Sequence, residues 1–171
     1  MKRTSLFLLA SCALACLATA AHAQETATAT ATATIVTPIS ITKDVDMNFG
    51  NVAVQSSTAG TVVLTPAGTR SATGGVTLPS TAGTVTAASF TVSGTSGYTY
   101  TITLPSTALT ITSGSNTMTV TNFTSDPSGA NGTLTGGSEV LNVGATLNVS
   151  AAQPAGTYVS GTPFSVTVNY N

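Results

Sequence analysis

One pattern limits this chain more than any other: apolar and threonine residues alternate with a period of two. It is clear in "SFTVS", "YTYTITL", "MTVTNF" and "FSVTVNY". In an extended chain this period puts one residue set on each face, and no segment shows the three-and-four spacing of an amphipathic helix. The spacing predicts strands at 27–36, 39–42, 47–54, 61–65, 75–78, 85–92, 98–104, 109–112, 118–123, 140–149 and 164–170. Turn clusters such as "QSSTAG", "SATGG", "TSGSN", "SDPSGANG" and "AAQPAG" separate them. Short alternating strands with turn signals every eight to twelve residues, roughly, are expected of an all-β antiparallel sandwich or barrel.

The first residues belong to another process. "MKR", the apolar run "LFLLASCALACLATA" and the small-x-small site "AHA" are expected to form a secretory signal peptide over 1–23, cut between Ala23 and Gln24. The run is shorter than the ~20 residues of a membrane span, so no stable membrane insertion of the mature chain is expected. "LASC" and "ALAC" also offer Cys12 and Cys16 as lipidation sites, but Cys12 comes early and the cleavage site downstream is good. Past residue 23 the chain has 34 threonines, two basic residues (Lys43, Arg70) and five acidic ones (Glu25, Asp44, Asp46, Asp126, Glu139). With no basic patch, nucleic acid is not an expected partner. Uncharged, strand-prone edges favour pairing with other chains.

Little chemistry remains after residue 23, which is followed by no His, Cys or Trp. That excludes histidine-dependent nucleophiles and ordinary zinc, haem or iron–sulfur ligation. No enzyme activity, cofactor or metal is expected. "DVDMNFG" offers Asp44, Asp46, Asn48 and Gly50 as a calcium loop, but its glycine is displaced by one place and Gln55 replaces the terminal glutamate. Val45, Met47 and Phe49 at alternate positions fit a strand facing a core. Glycosylation sequons at Asn122, Asn131 and Asn148 carry no weight in so threonine-rich a chain. TxT motifs recur irregularly between Thr84 and Thr135, which argues against a repeating solenoid and a flat threonine face.

The two ends form a pair. "TATATATATIV" sets Ala27, Ala29, Ala31, Ala33 and Ile35 on one face of a strictly two-periodic tract, and Pro38 bounds it. At the other end Phe164, Val166, Val168 and Tyr170 alternate, the last being the penultimate residue. This C-terminal pattern resembles the strand of chaperone–usher pilins that a periplasmic chaperone reads. "MNFGNVAV" is similar to the first strand of spore-coat-U-type domains. "SFTVSGTSGYTYTITLP", "LNVGATLNV" and "PAGTYVSGTPFSVTVNYN" together resemble a family of secreted bacterial proteins, the domain of unknown function DUF4402. The resemblance implies an immunoglobulin-like, pilin-like β-sandwich over 39–171, with 24–38 as an N-terminal extension strand.

It also implies a function: a fimbrial or filament subunit at the cell surface, reached through the periplasm. Ala27, Ala29, Ala31, Ala33 and Ile35 would face the groove of the next copy, head to tail. Phe164, Val166, Val168 and Tyr170 would line a subunit's own groove and meet a chaperone, with an usher as the further partner. The tract departs from the pattern in its small alanine face. Two other readings stay open: a monomeric secreted or periplasmic binding module for polysaccharide or another surface, and a threonine-rich ice-binding protein.

Overall fold

The computed structural model describes residues 24–129 and 131–171. The chain divides into two units, Met1–Thr34 and Ile35–Asn171. In the first, residues 24–34 are exposed and carry no strand. The strand predicted at 27–36 is therefore absent from the single chain. An extended segment gains stability only when a neighbour takes up its amides and carbonyls. The signal-peptide and lipidation readings lie outside the described residues.

The second unit is an all-β sandwich. Its strands are β1 (Ser40–Val45), β2 (Ala53–Val54), β3 (Gly60–Leu64), β4 (Arg70–Gly74), β5 (Val76–Thr77), β6 (Ala88–Ser93), β7 (Thr99–Thr103), β8 (Leu109–Ser113), β9 (Asn116–Asp126), β10 (Asn131–Thr133), β11 (Ser138–Val149), β12 (Val159–Ser160) and β13 (Thr167–Tyr170). Every pairing among the described residues is antiparallel. A large sheet runs β1-β6-β11-β9-β8-β12, with β3 and β4 joined to it through β11. A smaller sheet runs β10-β7-β13, and β2 pairs with β5.

β11 organises the whole. One of its edges pairs with β6 up to Val143, then with β3 from Ala145. Gly144 stands at the change of partner, where a Cβ would lie 2.2 Å from the Leu64 carbonyl oxygen. Only glycine lets the two backbones come so close. On the other edge, the register with β9 shifts at the same place, and Asn122 there takes a left-handed φ of 50°. A bulge of this kind bends and twists the strands. β11 thus has two halves, each with its own core.

The first core joins Ala88 and Val92 of β6, Tyr100 and Ile102 of β7, Leu141 and Val143 of β11, Val168 of β13, and Leu134. The small sheet covers it. Tyr100 is wholly buried, and its hydroxyl donates to Glu139 Oε2 at 2.8 Å. The second core joins Val62, Val76, Val120, Ala145, Leu147 and Val149. Three short strands escape the sequence pattern: β4, β10 and β12 carry no alternating run of large apolar residues. The strand expected at 47–54 is reduced to one bridge at Asn48 and the two residues of β2. The one expected at 164–170 begins only at Thr167.

On the outer face of the large sheet, some of the threonines line up across strands. Register aligns Thr110 with Thr119, Thr119 with Asn148, Asn148 with Thr61, and Thr61 with Thr73. That row crosses five strands. Thr121, Thr146, Val63 and Ser71 form a second row beside it. Thr61 and Thr73 share a 2.7 Å hydrogen bond between hydroxyls, and Asn148 Nδ2 donates to Thr121 Oγ1 at 3.0 Å. These intervals are irregular along the chain because loops differ in length, yet the ladder brings Thr61, Thr73, Thr110 and Thr119 into one row with Asn148.

Candidate functional site

The second core is open on one side. A groove of about 1200 Å³ lies over it, floored by Phe90 of β6, Leu109 and Ile111 of β8, Met118 and Val120 of β9, and Leu147 and Val149 of β11. These side chains point to the inside of the sandwich. In a closed sandwich the facing sheet would bury them all. Here Phe90, Leu109, Ile111 and Met118 remain only half-buried.

One wall is the stretch from Val45 to Val54, which presents Met47, Phe49, Val52 and Val54. Its hold on the body comes from the far side. Asn48 exchanges backbone hydrogen bonds with Thr86, the Asn51 amide donates to the Ala82 carbonyl, and β2 pairs with β5. Arg70 fastens it from below: Nη1 donates to the carbonyls of Phe49 at 2.5 Å and Asn51 at 2.8 Å. A guanidinium has five donors in a rigid fork, so it can gather several carbonyls of an irregular segment.

The opposite wall runs from Gln153 to Ser160, with Pro163 and Phe164. Its ladder contacts with the large sheet are two: Val159 with Thr112, and Ser160 with Ile111. Gln153 Nε2 pins its start by donating to the Thr117 carbonyl and the Tyr158 hydroxyl, and that hydroxyl donates to the Pro154 carbonyl. Both walls are largely irregular chain with short strand pieces at Ala53–Val54 and Val159–Ser160, and the floor between them is apolar. Such a trough has room for one more extended segment, with side chains on the floor and backbone toward the walls.

The residues matched by a family model bracket this groove. The model for the domain of unknown function DUF4402 matches 39–170. The chain belongs to the DUF4402 family. Comparison with curated proteins and with solved structures gives no match. The DUF4402 match takes in both walls and the whole floor, and the alternating tract before Pro38 lies outside it.

Within this DUF4402 domain the C-terminal residues singled out by sequence do not act as one strand. Phe164 borders the groove, with its ring 6.4 Å from Phe90 and 5.0 Å from Phe123. Val166 packs against the first core and Val168 is buried in it. Tyr170 also packs against the first core, with its hydroxyl bound to Thr37 and Thr95. Ala27, Ala29, Ala31 and Ala33 are exposed, and Ile35 is 96% exposed. Sequence reasoning missed the floor and the near wall. Leu109, Ile111, Met118 and Val120 read as ordinary core alternation, and nothing local signals a missing cover.

The calcium-like string is engaged otherwise. Asp46 pairs with Lys43 Nζ at 2.8 Å, Asp44 accepts from Thr91 Oγ1, and Asn48 Oδ1 accepts from the Gly50 amide. No three His, Cys, Asp or Glu side chains converge among the described residues. Among these residues, no helix is long and apolar enough to cross a membrane. Among the described residues, the one strongly perturbed group lies away from the groove. Burial, and then the hydrogen bond to Glu139 and its charge, push the Tyr100 phenol above the ordinary tyrosine range.

Proposed function

We propose that this protein is a structural subunit of a cell-surface fimbria or filament, assembled by strand exchange: the N-terminal tract of one copy fills the groove of the next. The observation that carries the reading is the groove, where inward-facing Leu109, Ile111 and Met118 lie half-buried between two walls that cover them incompletely. The same chain carries an exposed, two-periodic, uncharged tract with no strand partner of its own. Eleven residues, 26–36, span about 35 Å when extended, a length suited to one strand of a sandwich. Head-to-tail addition of this kind does not close, so it builds a filament.

Ala27, Ala29, Ala31 and Ala33 bring little side-chain area. Ile35 is the exception, and burying it contributes about 1.5–3 kcal/mol. Backbone hydrogen bonds, at about 0.5–1.5 kcal/mol each, supply the remainder. Before assembly the open groove needs cover, which is the role proposed for a periplasmic chaperone, with an usher for export. Neither role requires catalysis, a cofactor or a metal.

Two variants test this from opposite sides. Ala29→Asp with Ala31→Asp should disable the donor, and Ile111→Asp the acceptor. Each alone should stay a folded monomer. Their mixture should form dimers and stop there, because one intact tract can enter one intact groove. Chains of indefinite length from either variant would sink the proposal.

A second reading has its own support in the threonine row Thr110–Thr119–Asn148–Thr61–Thr73. Such an uncharged array suits an ice surface or a neutral polysaccharide. Sheet twist, about 20–25° per strand, works against a flat lattice match. Thermal hysteresis of the monomer, lost in Thr119→Lys, would favour ice binding over assembly.

A further inference from the structure

Tyr170 joins three distant parts of the chain. Its hydroxyl donates to the Thr37 carbonyl at 2.8 Å and accepts from the Thr95 amide at 2.7 Å. The ring of contacts closes with the Thr37 amide, which donates to Thr95 Oγ1 at 3.0 Å. The loop that holds Thr95 is itself fixed, because the Gly94 amide donates to the Gly137 carbonyl and the Gly97 amide to the Leu134 carbonyl. Gly94 makes room for the phenol: a Cβ there would lie 2.2 Å from the Tyr170 hydroxyl oxygen. On the other side, Tyr170 packs against Tyr98 with ring centroids 5.5 Å apart. Thr37 precedes Pro38, which holds it extended.

This arrangement exceeds what a packed terminal aromatic requires. A phenylalanine would fill the same space beside Tyr98. The hydroxyl adds hydrogen bonds to backbone groups of Thr37 and Thr95, and Thr37 stands one residue after the alternating tract. We propose that Tyr170 is a positioning residue: its hydroxyl fixes the point at which the N-terminal tract leaves the domain. The proposal rests on the strand-exchange reading for its purpose, and on the hydrogen bonds alone for its existence. In a strand-exchanged filament, the chain between the last fixed residue and the inserted strand is the linker between subunits, and its length sets how freely they swing. With the clasp, that linker shrinks to the junction between Val36, the end of the inserted tract, and the fixed Thr37. Without it, Thr37 and Pro38 join the linker and add about 7 Å of reach, before Ile39 packs against the first core.

The test compares Tyr170→Phe with the wild-type mature chain. In the monomer, the thermal midpoint should stay within a few degrees, and amide exchange at Thr37 and Thr95 should quicken by about tenfold. Thr95→Val removes the hydroxyl acceptor of the Thr37 amide and should quicken exchange at Thr37 as well. In filaments, the persistence length of Tyr170→Phe should fall by about half. Unchanged exchange at Thr37 in Tyr170→Phe overturns the clasp, and so do filaments as stiff as wild type. Should the wild-type chain form no filaments, the assembly reading fails, and the exchange rates still decide whether the clasp holds.

Discussion

The two halves of the sandwich are made of similar strands and end differently. Around Leu141 and Val143, the large sheet is covered by β7, β13 and β10, and eight side chains are buried together. Around Leu147 and Val149, the same strand β11 faces β2, β5 and a bridge at Asn48, and the floor beside it is open. Alternation is equally regular in both halves. What differs is the supply of covering strands. An apolar face is a core where the chain can cover it, and a binding surface where it cannot.

Several measurements break or sharpen this contrast. Leu141→Ala, in the covered half, should cost about 2–5 kcal/mol in urea unfolding. Ile111→Ala, on the groove floor, should cost roughly 1 kcal/mol, since its side chain is only half-buried in the subunit. Equal costs would mean that the groove closes in solution. Between these values lies Arg70→Met, at about 1–3 kcal/mol, because the Phe49 and Asn51 carbonyls lose their donor. It should also raise protease cleavage within 47–54 and leave the covered half protected.

Tyr100 provides a pH-dependent probe of the covered half alone. Its folded pKa is raised above the unfolded value of about 10, so its contribution is complete below that pH and is lost as pH rises. The wild-type thermal midpoint should therefore fall more steeply above about pH 10 than that of Tyr100→Phe. Parallel curves for the two proteins would refute the assignment. The smallest effect is expected on the outer threonine row, where Thr61→Ala should cost about 0.2–1 kcal/mol through its partner Thr73.

Much of the architecture was legible in the sequence. The β class, the antiparallel alternation and most long strands follow from a period of two, which is a property of neighbouring residues. Val92, Tyr100, Ile102, Val120 and Val168 fall on the faces that the pattern gave them. Strands without alternation, such as "RSATG" and "NGT", left no such mark. Of the C-terminal set Phe164, Val166, Val168 and Tyr170, only Phe164 reaches the groove. The strand itself begins only at Thr167, and alternation alone cannot reveal where pairing starts.

The sequence by itself determined that this chain forms strands, which face of each strand is apolar, and that the tract before Pro38 is two-periodic with no large residue before Ile35. Only the tertiary structure decided that Leu109, Ile111 and Met118 stay half-buried, that Arg70 holds the near wall, that scattered threonines stand in one row, and that Tyr170 meets Thr37. The reason is physical. A strand's own period is set by bonds along the chain, whereas cover, register and hydrogen-bonded closure depend on which distant segments become neighbours.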